Sequence, residues 1–219
     1  GTSGSTIVIK VNDDRTIGTG FDVPGDFVSF NFEVAAGNTL TLSAALADQY
    51  IIGGDGNVVI SDTVVLTSTN ITAFKALLDN ITGTVTATVN GNAEILDDLL
   101  ATGSGSTQAL SITVNDAVTA AQGATIVAAT NVATVDFSAG GVSDSFTNLT
   151  NGTDAITTSM DSIDAKDANI NVVVTDTVVL TSTNINAFKA LLAATTGIVA
   201  GTVNGNAEIL DDLLATGSG

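Results

Sequence analysis

The chain repeats itself, and that narrows its folding options more than any other feature. Residues 60 to 105 (ISDTVVLTSTNITAFKALLDNITGTVTATVNGNAEILDDLLATGSG) recur as residues 174 to 219 (VTDTVVLTSTNINAFKALLAATTGIVAGTVNGNAEILDDLLATGSG), with Asp62 matched to Asp176. Substitutions gather in one patch, where Asp79, Asn80 and Ile81 become Ala193, Ala194 and Thr195. They continue into the next strand, where Thr84, Thr86 and Ala87 become Ile198, Ala200 and Gly201. Upstream the two halves have diverged, yet STIVIKVND (5 to 13) still resembles STQALSITVND (106 to 116), and TLTLSAALAD (39 to 48) resembles AITTSMDSID (155 to 164). These matches divide the chain into two homologous modules, 1–103 and 104–219, of a size common for domains. The chain opens on GTSGS and closes on ATGSG, the phrase also found at the internal junction, so a third module could follow in phase. A unit repeated in this way implies neighbours that meet through a fixed contact.

The core available to each module is aliphatic. Hydrophobic residues make up 44% of the chain but aromatic ones only 4%, so Ala, Val, Ile and Leu must fill the interior, a composition suited to stacked strands. The 23 acids face five bases (Lys10, Arg15, Lys75, Lys166 and Lys189), a formal charge of −18. That field repels phosphate backbones and anionic lipid, which argues against nucleic acid as a partner and against a polybasic membrane anchor. With no Cys and no His, thiolate metal sites, disulfides and the usual nucleophile and base sets are unavailable. Without a P-loop, and with Tyr50 as the one Tyr to offer a sugar platform, the expectation is a non-enzyme. No apolar run approaches the ~18 residues needed to span a bilayer. The absence of an initiator Met and of a signal-like segment leads us to expect a processed or excised piece of something longer.

Period-two alternation at Ile7, Ile9, Val11; at Val28, Phe30, Phe32, Val34; at Leu40, Leu42; at Val85, Ala87, Val89; and at Leu110, Ile112, Val114 predicts strands with one buried face. The runs Val58 to Ile60 and Val172 to Val174 predict more deeply buried strands. Inside the repeated block, Thr69 or Asn70 can cap a helix carrying Ile71, Phe74, Leu77 and Leu78 on one face. A second helix is expected from about Asn92 to Ala101, repeated from Asn206 to Ala215. The expected fold is therefore β-rich with short helices, of the α+β class, with strands in sandwich-like or solenoid-like stacks. Gly103 to Thr107 is the expected flexible joint.

Acids cluster in the second helix as Glu94, Asp97 and Asp98, and again as Glu208, Asp211 and Asp212, with Asn115 and Asp116 just past the joint. Asp97, Asp98, Asn115, Asp116, Asp211 and Asp212 are candidate ligands for Ca²⁺, which would stiffen the junction; a solvated acidic helix face is the competing reading. Asp97 and Asp98 lie in the half of the helix where the macrodipole disfavours acids, and no base lies within four positions of them. The segment Gly53 to Asn57 resembles one turn of a glycine-aspartate calcium nonapeptide, though it occurs once.

The phrases NTLTLSAALADQYIIGGDGNVVISDT and TGTVTATVNGNAEILDDLLATGSG resemble the Thr, Ala, Val, Gly and Asp rich repeats of large bacterial surface proteins, including S-layer-like and hemolysin-type proteins and repeat adhesins. The resemblance implies secretion, a place at the cell surface and a structural role with calcium dependence; it assigns no residue. The expected function is a structural subunit or segment of an extracellular filament, sheath or surface layer, whose partners are copies of itself. The alternative is a ligand-binding module of a secreted adhesin. The first strand, Thr6, Ile7, Val8, Ile9, Lys10 and Val11, is the candidate assembly element, because an alternating segment beside a Gly/Ser joint can extend a neighbour's sheet.

Overall fold

A computed structural model describes residues 6–18, 21, 29–99, 108–132 and 134–215. The expected joint from Gly103 to Thr107 and the end of the helix expected to reach Ala101 lie outside the described residues. The elements in chain order are β1 (Thr6–Val11), β2 (Arg15–Thr16), β3 (Ser29–Val34), β4 (Thr39–Leu42), α1 (Ala44–Gln49), β5 (Ile51–Gly54), β6 (Asn57–Val65), α2 (Ile71–Asn80), β7 (Val85–Gly91), α3 (Ala93–Asp97), β8 (Ala109–Val114), α4 (Ala120–Ala128), β9 (Val135–Asp136), β10 (Val142–Asp144), α5 (Phe146–Leu149), α6 (Thr158–Asp164), β11 (Val172–Val179), α7 (Ile185–Ala194), β12 (Val199–Asn204) and α8 (Ala207–Ala215). They form two compact units, 1–112 with 128–132, and 113–127 with 133–219.

The expected β-rich α+β class with sandwich-like or solenoid-like stacks is corrected by the strand pairing. Strands alternate with helices, and the three sheets are parallel throughout, which makes this an alternating α/β fold. The physical reason lies in the connections. Val58 of β6 sits beside Val85 of β7, and Val172 of β11 beside Val199 of β12, and in each case a ten-residue helix, α2 or α7, fills the crossover. Parallel neighbours require such a long return, whereas an antiparallel sandwich would join its strands by hairpins.

In the first unit one sheet has the order β1-β3-β5, and the other runs β2-β4-β6-β7-β8. Successive strands change sheet through short turns, as β3 to β4 and β5 to β6. At the second of these turns Gly54 has φ 118, a conformation that a side chain would strain. Inward residues Val34, Leu40, Val58 and Val85 are completely buried. The buried stripe of α2, Ile71, Phe74, Leu77 and Leu78, packs that helix against β5 and α1. The second unit holds the sheet β10-β11-β12.

Repeated residues make repeated bonds, which explains why they are shared by both halves. The Asn57 side chain accepts from the Thr84 amide at 2.9 Å, and Asn171 accepts from Ile198 at 2.9 Å. Asn70 and Asn184 each brace the turn before their helix, accepting from Thr67 and Thr181 and donating to the carbonyls of Val65 and Val179. Gly83 and Gly197 each lie so close to the preceding strand's entry that a Cβ would collide with a carbonyl oxygen, of Gly56 and of Ile170 respectively.

Helix starts are capped from the neighbouring strand. Asp62 on β6 accepts from the first amide of α1, Ala44, at 2.6 Å; Asp176 on β11 accepts from the first amide of α5, Phe146, at 2.7 Å. Asp144 on β10 does the same for Ala120 of α4 at 3.0 Å. A carboxylate there answers an orphan N–H and the positive end of the helix dipole together. These caps also revise the upstream alignment. Leu42 pairs with Ile60 and Asp144 with Val174, so the structural counterpart of Leu42-Ser43-Ala44 is Asp144-Ser145-Phe146 rather than the stretch at 155 to 164. The latter carries α6, which begins under its own cap, Thr157, in an insertion without a counterpart in the first repeat.

Candidate assembly surface

The repeated block ends in a strand and an acidic helix, β7 and α3 in the first repeat, β12 and α8 in the second. The sequence from 88 to 100, TVNGNAEILDDLL, recurs unchanged at 202 to 214. Its surroundings differ. Val85, Val89, Leu96 and Leu99 are all at most 1% exposed, whereas their counterparts Val199, Val203, Leu210 and Leu213 are half-buried, and α8 has no buried residue. Ile198 is 71% exposed and Leu214 75%.

What covers the first repeat is visible in its own unit. β8 lies beside β7, and its Leu110 and Ile112 are buried. Just ahead of it, the buried Gln108 accepts the Val85 amide on its side-chain oxygen at 2.6 Å. The Thr130 hydroxyl closes the layer, accepting from the Leu110 amide at 3.0 Å and donating to the Leu110 carbonyl at 2.7 Å. Among the described residues β12 is the last strand of its sheet in the second unit. Ile198 turns both its polar backbone groups to β11, donating to Asn171 and accepting from Val172. Successive residues of a strand point their backbone groups to opposite sides, so the Val199 amide faces the outer edge, as the Val85 amide does toward Gln108.

Another edge strand is β1, the outermost member of β1-β3-β5, in parallel register with β3 from Thr6–Ser29 to Val11–Val34. It is the segment expected to mediate assembly. Thr6 and Lys10 are exposed, Val8 is 50% exposed, Ile7 and Ile9 are half-buried, and Val11 is buried. Lys10 pairs with Glu33 of β3 at 3.6 Å across the surface.

The candidate cation ligands are placed as follows. Asp97 closes α3 and Asp98 follows it, the latter held by the mostly buried Lys75 of α2 at 3.2 Å; Asp212 is held in the same way by Lys189 of α7 at 2.9 Å. A base from the preceding helix thus offsets the acid at the unfavourable helix end, a partner that sequence proximity does not reveal. Glu94, Asp97 and Asp98 line an open groove of about 490 Å³ with Ser68, Ile71 and Ile95. Asp211 is exposed, and Asn115 and Asp116, in the second unit, are exposed at the turn that Gly140 packs against. Among the described residues no three or more acids converge as a cation site. In the glycine-aspartate segment, Asp55 accepts from the Thr82 hydroxyl at 2.8 Å, so its carboxylate ties two turns together. Elsewhere Asp164 has its pKa raised, first by burial and then by the charges of Asp161 and Asp167, and its Oδ1 is buried without a partner.

The expected assembly segment is an edge strand of its sheet, and the difference in burial between the two copies of the repeated block was not legible in the sequence. No signal in TVNGNAEILDDLL could have marked it, since Val89, Leu96 and Leu99 are buried in one repeat and the identical Val203, Leu210 and Leu213 are half-buried in the other. Among the described residues no helix is long and apolar enough to cross a membrane. No family model, no curated protein and no solved structure matches the chain.

Proposed function

We propose that this chain is a structural segment of an extracellular assembly, a filament, sheath or surface layer, built by stacking repeat modules through their sheet edges. One observation carries the reading: Val85, Val89, Leu96 and Leu99 are buried in the first repeat, while the same residues in the second, Val199, Val203, Leu210 and Leu213, are only half-buried. Apolar side chains selected for burial and left open are a hallmark of interaction surfaces, and an uncovered parallel edge strand is a template for one more strand. The acidic composition and the resemblance to surface repeats support a place outside the cell. The contact is heterologous, one end against a different end, and such contacts propagate into open polymers when the rotation does not close.

The test is electron microscopy and sedimentation of the purified chain over a wide concentration range. Ordered polymers or a concentration-dependent series of oligomers are expected. A single monodisperse monomer at every concentration overturns the proposal.

A further inference from the structure

We infer that the cleft between α1 and α2 of the first unit is a binding site for a small aromatic amine, with the ring against Phe74 and the ammonium beside Asp48. The inference is independent of the assembly reading, since it concerns one unit of a single chain.

The cleft is a partly open cavity of about 140 Å³. Its walls include Ala44, Ala47 and Asp48 of α1, Val64 of β6, Asn70 at the start of α2 and Phe74 within that helix. An apolar cavity of about 150 Å³ is large enough to take a benzene ring.

The second repeat shows what such a space holds. Asp62 caps the Ala44 amide as Asp176 caps that of Phe146, so Ala44 and Phe146 are equivalent, and three residues on so are Ala47 and Leu149. Val64, Asn70 and Phe74 recur as Val178, Asn184 and Phe188. There the ring of Phe146 lies against that of Phe188, with centroids 5.9 Å apart, and Leu149 is completely buried. The first repeat thus keeps the walls but puts a methyl group in place of each of the two large side chains. What it lacks is a ring beside Phe74, and a ligand's ring supplies the same tilted aromatic contact that Phe146 gives Phe188. The flank of the helix differs as well. In the second unit the Ala187 amide of α7 donates to the Thr153 carbonyl of the inserted segment at 3.1 Å, and Ala187 is completely buried. Its counterpart Ala73 on α2 is half-buried.

Charge selects among aromatic ligands. Asp48 lies four residues beyond Ala44, on the same face of α1, and is the one ionisable group among the described lining residues. Asn70 has its side-chain oxygen taken by the Thr67 amide and its nitrogen by the Val65 carbonyl, so it holds the wall in shape. An exposed carboxylate at the rim attracts an ammonium and repels an anion, and the formal charge of −18 acts in the same sense.

The test is an amide NMR titration of the dilute full chain with phenethylamine, alongside phenylacetate, which carries a comparable ring with the opposite charge. Phenethylamine is expected to bind with a Kd on the order of 1 mM, and phenylacetate at least about tenfold more weakly. Shift changes should gather on residues 44–48, 64–65 and 70–74. Ala44→Phe gives the first repeat the ring of the second; it should abolish these changes and, by filling the cavity, raise the melting temperature by about a few degrees. If Ala44→Phe does not fold, Ala47→Leu, which copies Leu149, takes its place. No saturable change at phenethylamine concentrations well above the expected Kd overturns the site. So does an unchanged titration of the folded Ala44→Phe or Ala47→Leu chain. Phenylacetate binding as tightly as phenethylamine overturns the role of Asp48 and with it the assignment of an amine.

Discussion

Leu96 and Leu210 occupy the same place in the same sequence, which makes their truncation a controlled measurement of what the outer cover contributes. Each packs inward on the glycine that ends its strand region. A Cβ added to Gly91 would meet Leu96 Cγ at 3.3 Å, and one added to Gly205 would meet Leu210 Cγ at 3.4 Å. They differ on the outside, Leu96 being 0% exposed and Leu210 half-buried. Leu→Ala at a fully buried site costs about 2–5 kcal/mol, combining lost transfer energy with the cavity left behind. A half-open site loses roughly half the transfer term, and water or neighbouring side chains fill the gap, so Leu210→Ala should cost about 1 kcal/mol. The assay is denaturant unfolding at protein concentrations below assembly, with amide exchange used to follow each unit separately, because two units need not unfold as one. Equal losses for the two variants in the dilute monomer would refute the reasoning, since they would mean that the outer cover contributes nothing. At assembling concentrations Leu210→Ala should in addition weaken association, whereas Leu96→Ala should leave the association constant of the folded fraction unchanged.

Three further outcomes follow from the geometry. Asp62→Ala and Asp176→Ala each remove a cross-strand helix cap and should lower stability by about 1 kcal/mol, read from thermal or denaturant melts; a loss confined to one repeat would contradict their equivalence. Asp164 has a folded-state pKa above its unfolded one, so its charged form opposes folding once the pH exceeds the ordinary Asp range. Asp164→Asn should therefore stabilise the chain at neutral pH, and the gain should vanish below about pH 3.9, where both states are protonated. Copies carrying −18 each repel one another, so assembly should strengthen as sodium chloride is raised toward about 0.5 M; weaker assembly in salt would show that attractive ion pairs dominate.

Much of the local structure was legible. Alternation at Ile7-Ile9-Val11, Leu40-Leu42 and Leu110-Ile112-Val114 marks β1, β4 and β8, and the stripe of Ile71, Phe74, Leu77 and Leu78 marks α2, with Asn70 as its cap residue. The shorter helices were harder to read for physical reasons. α1 and α5 have six and four residues, too few for a helical period to show, and α4 carries Gly123 amid β-branched residues because Ile163 packs where a side chain would stand. A sign of α4 was nonetheless present in Thr119 and Gln122, which cap each other's backbone as a capping box does.

By itself the sequence determined that there are two copies of one aliphatic, acidic module, which faces of their strands turn inward, and that β1 is an alternating strand at a module boundary. Those properties depend on residues close together in the chain. Only the tertiary structure decided that the strands run parallel, that Lys75 and Lys189 hold Asp98 and Asp212, and that Val89, Leu96 and Leu99 are buried while Val203, Leu210 and Leu213 are half-buried. Alternation fixes which side of a strand is buried but not the direction of its neighbour, and helix-to-helix ion pairs join residues far apart in the chain. Burial belongs to whatever lies alongside, so identical residues such as Val89 and Val203 have different surroundings, and no reading of the repeated letters alone could tell them apart.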